Sequence, residues 1–399
     1  MENVLVINAG SSSLKYQLIN MEDSSVLAKG IAERIGIDGS KLTYKAGETK
    51  REFKEPMPDH TKAVDLVLKA LQDPENGVVK NICDIKAVGH RVVHGGEAFS
   101  ETVLIDQEII KKIEDLSELA PLHNPANLMG IRACQQLMPQ TPMAVTFDTA
   151  FHQTMPAEAY IYGLPYEDYE EYRIRRYGFH GTSHSYVSKR MAEVLGKPVE
   201  ELKIITCHLG NGSSITAVKN GKSIDTSMGF TPLEGPMMGT RCGSIDPAIV
   251  GYLADKKGFD FLQMDQYMNK KSGVDGLSGV SSDFRDLNEA MNAGNERARL
   301  ALCAFGYQVK RYIGAYAAAM NGVDAIVFTA GVGENDEVIR DAVLSDMEFF
   351  GVDYDREINM NAPRGEEVEL TKPNSRTKSW IIPTNEELVI AQETYTLLK

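Results

Sequence analysis

Two runs of the sequence gather the residue types that anion chemistry needs. Residues 8–15 read NAGSSSLK and residues 208–214 read HLGNGSS. Glycine lets a main chain approach a phosphate and aim its N–H groups at it; serine adds hydroxyl donors, and lysine or arginine adds charge. Two more stretches share this character: PMMGTRCGS (236–244), where Gly239 and Gly243 flank Arg241, and AGVGEN (330–335), a glycine loop expected after a buried strand. Any one of them alone reads as a tight turn. The first two say more together, because at an offset of 200 residues Gly10 falls on Gly210 and Ser13 on Ser213. That offset is half the chain, which implies two halves on one plan and a nucleotide cleft between them.

Rival signatures fail. Gly221-Lys222-Ser223 resembles the end of a Walker loop, but Thr216 stands where the first glycine is required, and the segment reads strand–turn–strand. Neither GxGxxG nor GxSxG occurs. His90 and His94 are four apart on a strand-like run, too distant to share an ion, and His180-x-x-x-His184 lacks the glutamate of HExxH. Neither pair supports zinc.

The elements that must position these loops follow from composition and pattern. At 399 residues the chain exceeds the size of one core, and its 43% hydrophobic and 25% charged content is that of a soluble globular protein. A net charge of −14 argues against nucleic acid or an anionic membrane as partner, while leaving room for a small anion in a local basic pocket. Five scattered cysteines without CxxC fit a reducing compartment, and the start Met1-Glu2-Asn3 carries no targeting signal, so a cytoplasmic protein is expected. Each half begins with three antiparallel strands: VLVINA, the polar loop, then alternation through Leu18 and on to 26–35; and IITCHL, the second loop, then a hairpin turn at Asn220-Gly221 into KSIDTSM. Helices follow, over 61–73 with Val64, Val67, Leu68 and Leu71 on one face and over the small-residue-rich 296–320, the latter leading into a buried strand at 324–329.

VLVINAGSSSLK with IITCHLGNGSS resembles the paired signatures of the acetokinase family, of the sugar kinase/Hsp70/actin superfold. GHRVVHGG (89–96), PLHNPANL (121–128), AVTFDTAFH (144–152), RYGFHGTSH (176–184), TRCGSIDP (240–247), SDFRDL (282–287), FTAGVGEN (328–335) and PTNEEL (383–388) are similar to further blocks of that family in the same order, across the whole chain. The resemblance implies an α/β protein with two similar domains of the ribonuclease H-like/actin-like duplication. Each is a mixed sheet, three antiparallel strands then parallel ones, flanked by helices. Residues 1–150 plus about 385–399 would form the domain holding the acyl substrate and first phosphate loop, and 151–384 the domain with the second phosphate loop and adenosine site.

It also implies reversible, Mg2+-dependent in-line transfer of the γ-phosphoryl group of ATP to acetate, giving acetyl phosphate and ADP, with Mn2+ able to substitute. Arg91 would hold the carboxylate, a planar two-oxygen anion that suits a guanidinium. Val93, Leu122, Phe179 and Pro232 would enclose the methyl group, and Arg241 and His180 would donate to the equatorial oxygens of the moving phosphoryl group. Asp148, after the apolar run MAVTF, would orient substrates or hold magnesium through water. A general base is superfluous, since a carboxylate nucleophile with a pKa of about 4–5 is already ionised. Asn8 and Glu386 would lie near magnesium. Ser11, Ser13 and Lys15 would line the first phosphate loop, and His208, Leu209, Gly210, Asn211 and Gly212 the second. Asp283, Phe284 and Arg285 would flank the adenosine; Gly331, Val332, Gly333, Glu334 and Asn335 would approach its sugar and α-phosphate, and His123 would stand near the site. Propionate or butyrate kinases of the family are the nearest alternative. A non-catalytic nucleotide-dependent binding protein on the same superfold would leave Arg91 and its block without a purpose. A homodimer is implied as well, as is compaction on nucleotide binding.

Overall fold

The computed structural model describes residues 2–399. They form two compact units, one running up to Gln153 and resuming over Asn385–Lys399, the other Thr154–Thr384. The first is built on an eight-stranded sheet of β1 (Asn3–Ala9), β2 (Ser13–Asn20), β3 (Ser25–Glu33), β4 (Lys41–Ala46), β5 (Thr49–Phe53), β6 (Ile85–Val92), β7 (Val103–Leu104) and β8 (Met143–Phe147). Its order is β5-β4-β3-β2-β1-β6-β8-β7. The second holds β9 (Lys203–Leu209), β10 (Ser213–Lys219), β11 (Lys222–Thr226), β12 (Ala325–Thr329), β13 (Val368–Glu369) and β14 (Lys378–Ile381), in the order β11-β10-β9-β12-β14-β13.

Both sheets contain one motif. Three antiparallel strands, β3-β2-β1 or β11-β10-β9, are continued by two parallel to the first, β6-β8 or β12-β14. This is the mixed α/β plan expected of the ribonuclease H-like duplication. The first sheet departs from the expected three antiparallel strands by adding the hairpin β4–β5, whose burial alternates and whose outer strand has no fully buried residue. Asn220 and Gly221 turn β10 into β11 with φ of 55° and 76°, the left-handed pair that a type I′ hairpin demands.

Period-2 alternation sets the layers. Leu5, Ile7, Leu14 and Leu18 share one core with Val64, Val67 and Leu71 of the helix His60–Leu71. That helix starts where Asp59 accepts the Lys62 N–H at 2.8 Å. Val4, Val6 and Ala87 face the opposite way, onto Ile390 and Ala391 of the helix Glu386–Thr396. Gly89 makes that packing possible, since a Cβ there would lie 2.6 Å from Thr394 Oγ1 and 2.7 Å from Ile390 Cγ2. In the second unit Ile205, Cys207, Leu209 and Ile215 join the core of the helix Glu296–Met320. The even-numbered residues of β9 and β10 turn to the other face.

Candidate active site

In the first unit β1, β6 and β8 run parallel, which brings Asn8, Arg91 and Asp148 to the same end of the sheet. Alternation carries Asn8 onto the face of Val4 and Val6, and Arg91 onto that of Ala87. Arg91 Nε donates to Asp148 Oδ1 at 2.8 Å, Nη2 donates to Oδ2 in a second, shorter bond, and Nη1 donates to Asn8 Oδ1 at 3.3 Å. Three of the five guanidinium N–H groups are thereby engaged, leaving one on each terminal nitrogen. Burial opposes the Arg91 charge, but Asp148 and Glu386 overcome it and push its pKa up. Burial raises the Glu386 carboxyl to about 7, with Asp148 and Glu387 adding to the shift and Arg91 and Lys15 opposing it.

Lys15 is paired with Asn8 in the β1–β2 register and stands exposed at the base of the first loop. That loop closes through the Gly10 N–H, which donates to the Ser13 carbonyl at 2.7 Å; the Gly10 carbonyl in turn lies 2.7 Å from His60 Nε2. Ser11 is exposed and Ser13 half-buried. Val93 is buried, its N–H donating to Asn127 Oδ1 at 3.1 Å. Leu122 is 76% exposed in a turn, so its own unit closes no apolar pocket over it. His123 is exposed at the start of the helix Asn124–Leu137. Nothing in the sequence pairs Arg91 with Asp148. Their direct pairing, 57 residues apart, follows only from β6 and β8 being neighbours.

The second unit repeats the hairpin. The Gly210 N–H donates to the Gly212 carbonyl at 3.1 Å, and Ser213 Oγ donates to the Gly210 carbonyl at 3.0 Å. Beside it His180 and His208 stack with ring centroids 4.0 Å apart and planes at 19°. Arg241 reaches the same place: a Cβ at Gly212 would lie 3.3 Å from Arg241 Nη1 and 3.8 Å from His180 Nε2. A glycine is therefore what leaves room where the two donors converge. Arg241 Nη1 donates to the Pro232 carbonyl at 3.3 Å, and burial lowers the pKa of this guanidinium. Among the described residues no carboxylate forms an ion pair with it, in contrast to Arg91. Phe179 is buried and Pro232 half-buried.

The Arg241 loop rests on a support that the sequence did not announce. The N–H groups of Ser272, Val274 and Asp275 donate to the carbonyls of Thr240, Met238 and Gly239 at 3.0, 2.9 and 3.0 Å. Gly273 allows this approach with φ of 63°. Below the preceding segment, Arg176 Nη1 donates to the carbonyls of Thr226, Ser227 and Met228, and its Nη2 pairs with Glu234 at 2.7 Å.

A cavity of about 740 Å3 opens beside the second hairpin, lined by Gly210, Asn211, Asp283, Phe284, Arg285, Gly331, Val332 and Asn335. Ser282, Asn288, Asp336, Glu337 and Arg364 complete the lining, remote in sequence and without a motif to reveal them. One expectation needs correction here. AGVGEN is a short helix, Ala330–Asn335, entered through Ala330 at φ of 65°. Its Glu334 turns back onto the main chain, where Oε1 accepts the Ala330 N–H at 2.8 Å and the Thr384 N–H at 3.2 Å. Gly333 is buried against Cys207 and Phe328. Neither Glu334 nor Gly333 lines the cavity. Phe284 lines it while packing edge-on to Phe305 at 4.8 Å, and Asp283 holds Arg285 by charged hydrogen bonds.

Twin glycine hairpins on like sheets, with cationic donors at one and a nucleoside-sized cavity beside it, define an architecture for phosphoryl transfer. The acetokinase family model matches residues 3–392, and the chain belongs to that family. It is 62% identical over 398 residues to the acetate kinase of Caldanaerobacter subterraneus subsp. tengcongensis, covering 99% of each chain. It is 59% identical to that of Thermotoga maritima, covering 99% of this chain and 98% of the relative. Among solved structures it matches Porphyromonas gingivalis acetate kinase with a TM-score of 0.97 at 49% identity over 100% of both chains. A propionate kinase from Francisella tularensis subsp. tularensis matches with a TM-score of 0.92 at 42% identity, over 99% of this chain and 100% of that one. No described helix is long and apolar enough to cross a membrane.

Proposed function

We propose that the chain is an acetate kinase, transferring the γ-phosphoryl group of ATP to acetate directly and reversibly to give acetyl phosphate and ADP. The observation that carries this reading is the Arg91 fork. A buried carboxylate fixes one edge of the guanidinium and leaves an N–H on each terminal nitrogen, the donor pair that a small carboxylic acid needs. Asp148 orients that fork. The first unit supplies the acyl substrate site and, through Ser11, Ser13 and Lys15, one phosphate loop. The second supplies the other loop at 208–212 and the adenosine cavity. Arg241 and His180, converging at Gly212, donate to the phosphoryl oxygens where charge spreads in the transition state. Val93, Leu122, Phe179 and Pro232 limit the acyl chain.

The described residues contain no cluster of three metal-binding side chains. That suits Mg2+, which keeps most of its shell as water and phosphate oxygen, with Asn8 and Glu386 contributing from the protein. The ion would neutralise charge on the transferring phosphates, and Mn2+ would replace it. We place the enzyme in the cytoplasm, where its five free thiols stay reduced. We also assign it a homodimer, as the family resemblance implies. Sedimentation at micromolar concentration tests the dimer.

The activity test is ATP- and magnesium-dependent formation of a hydroxylamine-trappable acyl phosphate from acetate. No trapped product from a folded protein refutes the proposal. The likeness to a propionate kinase supports a second reading. One methylene is worth only ~1–3 kcal/mol of discrimination, so activities overlap and kcat/KM on acetate, propionate and butyrate decides between them.

A further inference from the structure

Behind the stacked histidines lies a polar layer that alternation builds. Thr206, His208 and Ser214 turn from β9 and β10 toward the helix Gly181–Leu195, which brings Ser183 and His184. Thr206 Oγ1 lies 2.7 Å from His184 Nδ1, His184 Nε2 lies 2.7 Å from Ser214 Oγ, and Ser214 Oγ lies 2.9 Å from His180 Nδ1. Each hydroxyl has one proton, and each neutral imidazole has one N–H. The four groups are therefore polarised together, in one sense or the other.

The buried end decides the sense. Thr206 is 0% exposed, and His184 Nδ1 is the one side-chain partner its hydroxyl has among the described residues. If His184 donated to Thr206, the threonine proton would be buried with no acceptor, at a cost of a lost hydrogen bond. If Thr206 donates instead, only a lone pair goes unused. His184 then carries its proton on Nε2 and gives it to Ser214, which donates to His180 Nδ1. We propose that this Thr206–His184–Ser214 chain holds His180 as the Nε2–H tautomer, making Ser214 and His184 positioning residues for the donor that meets the phosphoryl group. The stacked neighbour is held alike: Thr384 Oγ1 donates to Ser183 Oγ at 2.9 Å, and Ser183 Oγ lies 2.9 Å from His208 Nδ1.

The link to catalysis rests on the reading that His180 contacts the phosphoryl group; the tautomer does not. Nitrogen-15 NMR of the full chain labelled at histidine, with His180 assigned by loss of its signals in His180→Gln, reads the tautomer directly. The expected result is Nε2–H in the unmodified protein and a mixture in Thr206→Val, which changes shape little and lies two links from His180. An Nδ1–H tautomer, or an unchanged Nε2–H population in both Thr206→Val and Ser214→Ala, overturns the proposal. In steady-state assays Ser214→Ala lowers kcat about tenfold at unchanged KM for ATP, and Ser214→Thr, which keeps the hydroxyl, restores it. A kcat unchanged in folded His180→Ala would refute the catalytic reading of His180, with the tautomer still decided by NMR.

Discussion

Arg91 and Asp148 act as one unit, and the consequences can be measured on either. Asp148→Asn keeps the shape but removes the charge and one acceptor, freeing the guanidinium to rotate. A charged hydrogen bond is worth ~1.5–3 kcal/mol, so kcat/KM for acetate falls by about 10–100-fold. Binding of adenosine, whose cavity lies in the other unit, stays within error by equilibrium titration. Near-normal turnover would remove Asp148 from the mechanism. Arg91→Lys fails as fully as Arg91→Ala, because an ammonium cannot bridge Asp148 and a second carboxylate in one plane. At this scale the sequence showed the chemically unusual positions well, since an arginine amid GHRVVHGG and an aspartate ending MAVTF break apolar runs. It offered Ser214 only as the end of a phosphate loop and His184 only as half of an unsupported zinc pair, because the hydrogen bonds that join them exist only once the helix packs on the strands. Glu334, assigned near the nucleotide by resemblance alone, accepts the Ala330 N–H at the start of its own short helix, a contact that no pattern in the sequence announces.

Loops that carry donors need elements beneath them, and here glycine is the point of failure. A Cβ on Gly273 would lie 2.2 Å from the Met238 carbonyl oxygen and 2.9 Å from that of Arg241, on a backbone already at positive φ. Gly273→Ala therefore pushes the 238–241 loop off its cradle. The expected outcome is a kcat at least tenfold lower, with a melting temperature reduced by several degrees; wild-type values of both would disprove the cradle. Arg176→Met removes one partner from a half-buried pair and strips three carbonyls of their donor. Removing one member of a buried pair costs ~3–5 kcal/mol, which a denaturant titration resolves. Strand positions were legible from period-2 alternation, and the helix expected at 296–320 spans those residues, capped by Asn295 and ended by Asn321, left-handed at φ of 56°. AGVGEN was not legible, since its six residues carry too little pattern to separate a turn from a short helix.

The duplication was readable from a single offset, and the two sheets repeat the same strand order around it. The added hairpin β4–β5 was not readable, because edge strands of alternating polarity resemble any exposed segment. Two predictions belong to the molecule as a whole. An ATP analogue with Mg2+ is expected to reduce the radius of gyration, as the family resemblance implies; identical scattering profiles would count against it. Stability is expected to fall in acid. Burial pushes His90 down to about 3 and His94 to about 4, below the ~6.5 of an unfolded chain. Folded pKa values that are depressed contribute stability above pH ~6.5, which is lost as pH falls and the unfolded chain takes up protons. The loss is about 2 kcal/mol per histidine by pH 5, and His90→Leu flattens the slope in denaturant midpoints between pH 7 and 5. The helix that covers Val4, Val6 and Ala87 comes from the last residues of the chain. During synthesis that side of the first sheet therefore stays uncovered until residues 386–396 have emerged, so β1 matures long after it is made, and a nascent chain stalled at residue 384 should remain open to protease along it.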